Sequence, residues 1–326
     1  MKINFTLLLA VLIVFASCSK EDSEPLSSVS NFTDSKYIKR IIPATDGYWL
    51  ITSTADNSQC WYCNDATSID GLVFFNNDIT SGKDKLGVFL DAELSNNDLT
   101  VLSPTQIISF STSLQSSVMK QAATGETFKL MDKDANGNLW FLSDRAIFNL
   151  EGNKISFPNS LKAIDFEISA DNTFWIATAD TVYRVNRFLA DKFIATSIYE
   201  RPTNSTTSGT TKIFNLRIDS LDRVWINTSD KVFRFTVNSW SDVQTGKYLS
   251  ENFKTIPFMD IDRNGWLWLA EKNYQSYTDM HYYNGTAWAS FKFDTPLNNW
   301  ITDVEAAEAG YLWIGTNSGL LKVQIH

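Results

Sequence analysis

The chain has 326 residues, with 28 basic against 37 acidic side chains, 44% hydrophobic and 13% aromatic residues. A charged fraction of 20% is too low for a disordered chain, and 14 Gly with 7 Pro exclude a collagen-like one. A net charge of −9 argues against binding a phosphate backbone, which needs a basic face, so no nucleic-acid partner is expected.

The N-terminus carries one apolar run. Lys2 supplies a short positive region, and Leu7 to Ala16 is uninterrupted by any polar residue. Ten residues are too few to cross a bilayer and suit the apolar region of an export signal. The run ends in Phe15-Ala16-Ser17-Cys18. These residues resemble the lipobox of bacterial lipoproteins in its relaxed Bacteroidota form, with Phe15 where Leu is usual. The resemblance implies cleavage after residue 17 and a lipid on Cys18, the alternative being a soluble secreted protein. Ser19-Lys20-Glu21-Asp22-Ser23-Glu24-Pro25 follows, polar and acidic, and reads as a tether. A lysine followed by two acids resembles the surface-export signal of Bacteroidota lipoproteins. The expected divisions are a signal peptide over 1–17, an anchor, tether and closing strand over 18–36, and a folded body over 37–326. An acidic body would not adhere to an anionic leaflet, so the lipid is expected to hold the outer membrane.

Beyond Cys18 the cysteines are Cys60 and Cys63, in Cys60-Trp61-Tyr62-Cys63. No His follows, so c-type haem attachment fails, and zinc would need two more soft ligands from a chain with only two His. In an exported protein a short disulfide between them is expected, with two free thiols as the alternative.

The body is repetitive. DANGNLWFLS (134–143), SADNTFWIAT (169–178), DSLDRVWINT (219–228), DRNGWLWLAE (262–271) and AEAGYLWIGT (307–316) align without gaps, and ATDGYWLITS (44–53) is one residue shorter in its turn. Spacings from Trp140 onward are 35, 50, 43 and 45. Trp49 and Trp140 lie 91 apart, which leaves room for two units. KLGVFLDAE (85–93) is taken as the degenerate copy, with Phe89 in the Trp place. Each unit has an apolar strand before the turn, such as FKLMDKD or FMDID, a run after it such as TVYRVN, and a short fourth strand such as KISF. Strands of 4–6 residues separated by Asp, Asn and Gly turns, four to a unit of about 41 residues, predict an all-β chain, a β-propeller of seven four-stranded blades. The last copy ends after its third strand, so the segment around Ser30–Lys39 is expected to close the ring. The Trp strands are apolar on both faces, as strands packed between two neighbouring blades should be.

These cores, above all LNNWITDVEAAEAGYLWIGTNSGLLKV, resemble the two-component-regulator propeller repeat of Bacteroidota. The resemblance spans roughly residues 37–326 and is poor across 64–127. No kinase or DNA-binding region follows Gln324 in this sequence, so the resemblance implies the scaffold and not the signalling.

Candidate chemistry is sparse. Asp260 to Glu271 has the spacing of a calcium loop, and Asp132 to Ser143 begins like one. Both fall on the repeat's own turn, where Asp and Gly serve a hairpin, and no metal or cofactor is expected. There is no nucleophile motif, and His281, in an aromatic strand, reads as packed rather than catalytic. Asp180-Thr181-Val182 and Asp219-Ser220-Leu221 resemble O-glycosylation sites of exported Bacteroidota proteins, although ordinary turns explain them better. The loops at one mouth of the ring offer Arg145, Asp180, Asp230, Lys272, Tyr274, Tyr277 and Trp300 as ligand-binding candidates, the aromatics suited to sugars or protein hot spots. Three roles compete: non-catalytic recognition of a glycan, peptide or partner protein; a lyase or glycosidase on the same scaffold; and an accessory scaffold of an outer-membrane complex. Recognition is favoured, because fold alone licenses no reaction.

Overall fold

The computed structural model describes residues 37–45, 47–53, 70–75, 79–95, 98–111, 113–186, 195–200, 212–228, 231–236, 239–243, 258–262, 264–272, 278–291, 301–308 and 311–324. Cys18, Cys60, Cys63, Asp230, Tyr274, Tyr277 and Trp300 lie outside these residues. All strands pair with sequence neighbours, antiparallel, in seven separate sheets: a seven-bladed β-propeller. Six sheets have four strands, and the last has three among the described residues. The innermost strands, in chain order, are Tyr37–Ala44, Asp91–Ser95, Phe128–Lys133, Asp165–Ile168, Asn215–Ile218, Phe258–Ile261 and Ile301–Glu308.

Every second strand except that of blade two carries its Trp: Trp49, Trp140, Trp175, Trp225, Trp268 and Trp313. These strands are buried on both faces, as at Thr173–Ala177 and Val224–Asn227, because each blade is covered by a neighbour on either side. Trp140, for example, meets Phe174 of the next blade edge-on at 4.9 Å. Burial of six indoles contributes far more than any surface interaction in this fold.

Blade two corrects the sequence reading. Residues 85–87 end the outermost strand of blade one, and Phe89 lies in the link that follows. Its ring is buried, 6.2 Å from Phe110, and packs in one cluster with Trp49. The register gives the Trp place to Thr100, opposite Glu93, where Trp stands opposite the inner strand elsewhere. The degenerate copy is therefore 91–102, hidden because a buried threonine carries none of the aromatic signal.

The turn aspartates explain the conserved shape of the cores within this chain. Asp262 Oδ1 accepts from the amides of Asn264 and Trp266, while Oδ2 accepts from Trp268 Nε1 at 2.9 Å. Asp134 and Asp219 do the same for Trp140 and Trp225. One carboxylate thus closes the hairpin and fixes the indole, as the hairpin reading of these motifs requires. The turns also interlock from blade to blade. Ala170 N donates to Asp222 Oδ1 at 2.9 Å, and Ser220 lies against Gly265. Gly265 has φ +75°, and a Cβ there would stand 2.1 Å from Ser220 Oγ. Gly265→Ala is therefore expected to cost about 2 kcal/mol or more, combining left-handed strain with the clash. Adding Ser220→Gly should restore only the clash component in a denaturant melt. Full recovery by the double variant would show that strain at residue 265 is negligible.

At the seam of the ring, the inner strand of blade one packs face-on against the last blade. Ile41 N donates to Asp303 Oδ2 of the last blade at 2.5 Å, and Thr302 Oγ1 donates to Ile38 O. Ile38, Ile41, Tyr48 and Leu50 share a buried cluster with Trp313 and Leu320. Of the segment expected to close the ring, Tyr37–Lys39 open the innermost strand of blade one, and 30–36 lie outside the described residues.

Candidate functional site

The inner strands alternate with a period of two. One parity is apolar: Ile41, Ala92, Met131, Phe166, Leu216, Met259 and Val304. The other is charged at most positions, with Arg40, Asp91, Glu93, Asp132, Asp165, Glu167, Arg217, Asp260, Asp303 and Glu305. Glu93, Asp132, Glu167, Arg217, Asp260 and Glu305 form one row, each opposite the Trp place of its own blade. Because these strands are innermost, the charged parity borders the central channel. A cavity of about 890 Å³ runs along it, from strand starts such as Thr127, Phe214 and Thr302 to the turns at Ala170, Ser220 and Gly265. That volume is in the range of small-ligand sites.

Most of the polar groups hold one blade to the next. Arg40 and Asp91 approach to 3.4 Å across blades one and two. Asp91, Asp132 and Asp165 each accept an amide of the following blade, from Met131, Ile168 and Leu216 at 2.8–3.0 Å. Arg217 reaches Asp260 through Nε at 2.9 Å, and Asp165 and Glu167 through Nη1 at 3.2 and 3.3 Å. One guanidinium therefore ties blades four, five and six.

Acids outnumber bases along the channel, and burial makes the imbalance costly. Burial raises the Asp132 carboxyl to about 7, with Glu93 and Asp91 adding repulsion against two backbone hydrogen bonds. Asp303 is raised to about 8 by burial and by Asp260 and Glu305, although Arg40 and the Ile41 amide oppose this. Glu167 is pushed well above the usual carboxylate range by burial and Asp132, and Asp165 is raised by burial. Burial works against the charges of Arg217 and Arg40, yet the surrounding carboxylates hold both firmly protonated. No cluster of three metal-ligating side chains with suitable geometry occurs among the described residues.

None of these residues was singled out from the sequence as a ligand site. The available signal was the alternation itself, since FKLMDKD, NLRID and FMDID each carry a charged residue at every second position near the turn. Of the loop candidates, Arg145 Nη2 donates to Gly125 O, and Asp180 accepts from Thr178 and Thr181. Both are exposed and neither lines the cavity. Lys272 ends the second strand of blade six. His281 is buried and its Nδ1 lies 2.9 Å from Ser290 Oγ, a packed position between strands.

No protein-family model matches the chain, and no curated protein matches it by sequence. Solved structures do match. A streptogramin B lyase is 14% identical with a TM-score of 0.65, covering 92% of this chain and 96% of its own. The extracellular domain of a putative one-component system from B. thetaiotaomicron is 12% identical with a TM-score of 0.65, over 93% of this chain and 40% of that one. PorZ, a surface component of the type-IX secretion system of Porphyromonas gingivalis, is 14% identical with a TM-score of 0.62, over 88% and 46%. At these identities the likeness establishes the propeller, and the varied roles of the three leave the chemistry to the residues of this chain.

Proposed function

We propose that the protein is a recognition module held at the outer-membrane surface by a lipid on Cys18, binding without chemistry. On this reading residues 1–17 are the signal, the stretch from Cys18 to Lys36 holds the lipid and tether, and the propeller presents the ligand site. The lipobox-like run supports the anchor, and the extracellular likeness of the one-component-system domain agrees with a surface location. The observation that carries the binding reading is the cavity of about 890 Å³ along the inner strands, with its excess of carboxylates. Its polar groups are committed to ties between blades, a rigid frame suited to holding a ligand. Of glycan, peptide and protein, the carboxyl-rich lining favours a peptide or protein segment bearing amino or guanidinium groups, a cation beside which the raised carboxyls would give up their protons.

Calorimetry with lysine- and arginine-rich peptides and with neutral oligosaccharides tests this reading. Basic peptides should bind, more weakly as salt rises, and Glu93→Gln with Glu167→Gln should cost about tenfold or more. Turnover of any bound compound would make the protein an enzyme, and binding of oligosaccharides alone would reverse the ligand class. Cys18→Ala should leave the precursor unprocessed or release it from the membrane fraction. A processed, membrane-bound C18A protein would place the anchor elsewhere.

A further inference from the structure

We propose that the channel reads an arginine and an apolar residue of its ligand together. The guanidinium lodges between Asp132 and Glu167, and the apolar side chain rests against Leu90, Pro104, Ile164 and Phe214 at the mouth where the inner strands begin. This rests on the reading of the channel as a site for basic segments. The chain itself shows how the row opposite the Trp places takes a guanidinium. Arg217 lies between Glu167 of blade four and Asp260 of blade six, with Nη1 3.3 Å from Glu167 Oε1 and Nε 2.9 Å from Asp260 Oδ1. Separate nitrogens of one planar group thus serve two blades, a geometry that suits a guanidinium fork better than an ammonium.

Two blades back, Asp132 holds the place of Arg217 in that row. It stands between Glu93 of blade two and Glu167, so Glu167 has a guanidinium on one side and a carboxyl on the other. Asp132 Oδ2 accepts the Ile168 amide at 2.8 Å and Oδ1 accepts that of Lys133, so two amides and no cation bind it among the described residues. The other charges around the pair are already engaged. Lys133 Nζ meets Glu93 at 2.5 Å, and Lys129 Nζ donates to Ala163 O at 2.7 Å. Arg217 also holds Asp165 and Asp260, and Asp91 faces Arg40. Burial and neighbouring acids raise both carboxyls of the pair. A cation between them relieves that repulsion as they lose their protons.

The mouth above this pair is apolar. Three residues before the row, where the inner strands begin, blades two, four and five carry Leu90, Ile164 and Phe214, all lining the cavity. Pro104, whose carbonyl accepts the Phe128 amide at 2.9 Å, joins them beside blade three. Ile164 is 37% exposed, an unusual position for a large apolar side chain in this fold. On blades seven and one the same level is polar, with Thr302 and Lys39. The apolar patch therefore stands on the same side of the ring as Asp132 and Glu167. At about 3.3 Å per residue, three residues of strand set patch and pair about 10 Å apart along the channel. An extended ligand matches that depth when its apolar residue lies three positions from its arginine.

Calorimetry on the full-length chain with acetylated tetrapeptide amides is the test. Phe-Gly-Gly-Arg should bind at least about fivefold more tightly than Gly-Gly-Gly-Arg, which lacks the ring, and than Phe-Gly-Gly-Lys, which lacks the fork. Ile164→Ser, at an exposed side chain, should weaken Phe-Gly-Gly-Arg at least about threefold and leave Gly-Gly-Gly-Arg unchanged. Binding near pH 7 should release protons, read as a heat that varies with the ionisation enthalpy of the buffer. Asp132→Asn should remove most of that release and weaken both arginine peptides. Equal affinity for the Phe and Gly peptides, or an Ile164→Ser variant that binds both as the parent does, would overturn the apolar half. Affinity and proton release unchanged in D132N would place the guanidinium elsewhere and overturn the arginine half, as would equal affinity for the lysine peptide. Failure of every basic peptide to bind would instead overturn the channel as a site for basic segments, and this inference with it.

Discussion

Lowering the pH from 8.5 to 5.5 is expected to raise the melting temperature by about 5 °C or more, and Asp303→Asn should reproduce much of that gain at pH 8.5. The unfolded chain titrates its carboxyls near pH 4. In the fold, burial and neighbouring acids raise Asp303 to about 8 and Asp132 to about 7, with Glu167 and Asp165 also raised. Between roughly pH 4 and 8 the native state therefore holds protons that the unfolded state has released. Stability falls as pH rises through that window, because the unfolded state binds fewer protons. A carboxyl whose pKa stands one unit higher when folded changes stability by about 1.4 kcal/mol. For a domain of this size that is about 2–4 °C per kcal/mol. Asparagine keeps an acceptor for the Ile41 amide while removing the charge, so the variant separates the hydrogen bond from the titration. A melting temperature that stays flat from pH 5.5 to 8.5 would show that the channel is wetter and better compensated than its side-chain positions indicate.

Arg217→Met is expected to destabilise the propeller by about 3–5 kcal/mol, the range seen when one partner of a buried ionic cluster is removed. Methionine fills similar space, so the loss isolates charge and hydrogen bonding. What remains is Asp165, Glu167 and Asp260 facing one another with no cation between them. Lysine should not rescue, since a point charge cannot reproduce a guanidinium that engages three carboxylates and Leu216 O. Adding Glu167→Gln and Asp260→Asn to the methionine variant should recover most of the stability, a coupling measurable by denaturant unfolding. If R217M costs less than about 1 kcal/mol, the guanidinium is a rim feature and the blades are held by apolar packing alone.

Both effects arise in a row of residues that the sequence displayed but did not announce. The blade count was legible because Trp140, Trp175, Trp225, Trp268 and Trp313 sit in cores that align without gaps. Their burial on both faces was implied by apolar runs such as FWIA. The turn aspartates were legible as hairpin residues, but their second bond to Trp Nε1 links residues six apart across a turn and appears only in three dimensions. Phe89 misled because a large aromatic in an apolar stretch imitates the repeat, whereas Thr100 holds the position. The charged channel is hard to see in strands such as FKLMDKD, where the apolar members dominate the pattern. Facing of Asp132 toward Ile168 of the next blade depends on ring geometry that no single repeat encodes. The cysteine pair and four of the seven loop candidates fall outside the described residues.

The seam between first and last blades has a kinetic meaning. Each blade is a meander of adjacent strands, and inter-blade bonds elsewhere join residues close in sequence, such as the 40 separating Asp91 from Met131. At the seam, Ile41 and Asp303 are 262 apart, and Thr302 and Ile38 are 264 apart. A nascent chain can therefore assemble its blades in order of synthesis, each nucleated by local contacts, but the circle can be completed only after the final blade exists. Until then the Ile38–Leu50 surface stands uncovered, an apolar flank awaiting a partner made last. The contacts of Ile38, Ile41, Trp313 and Leu320, made across the whole length of the body, are thus the ones that turn an arc of blades into a ring.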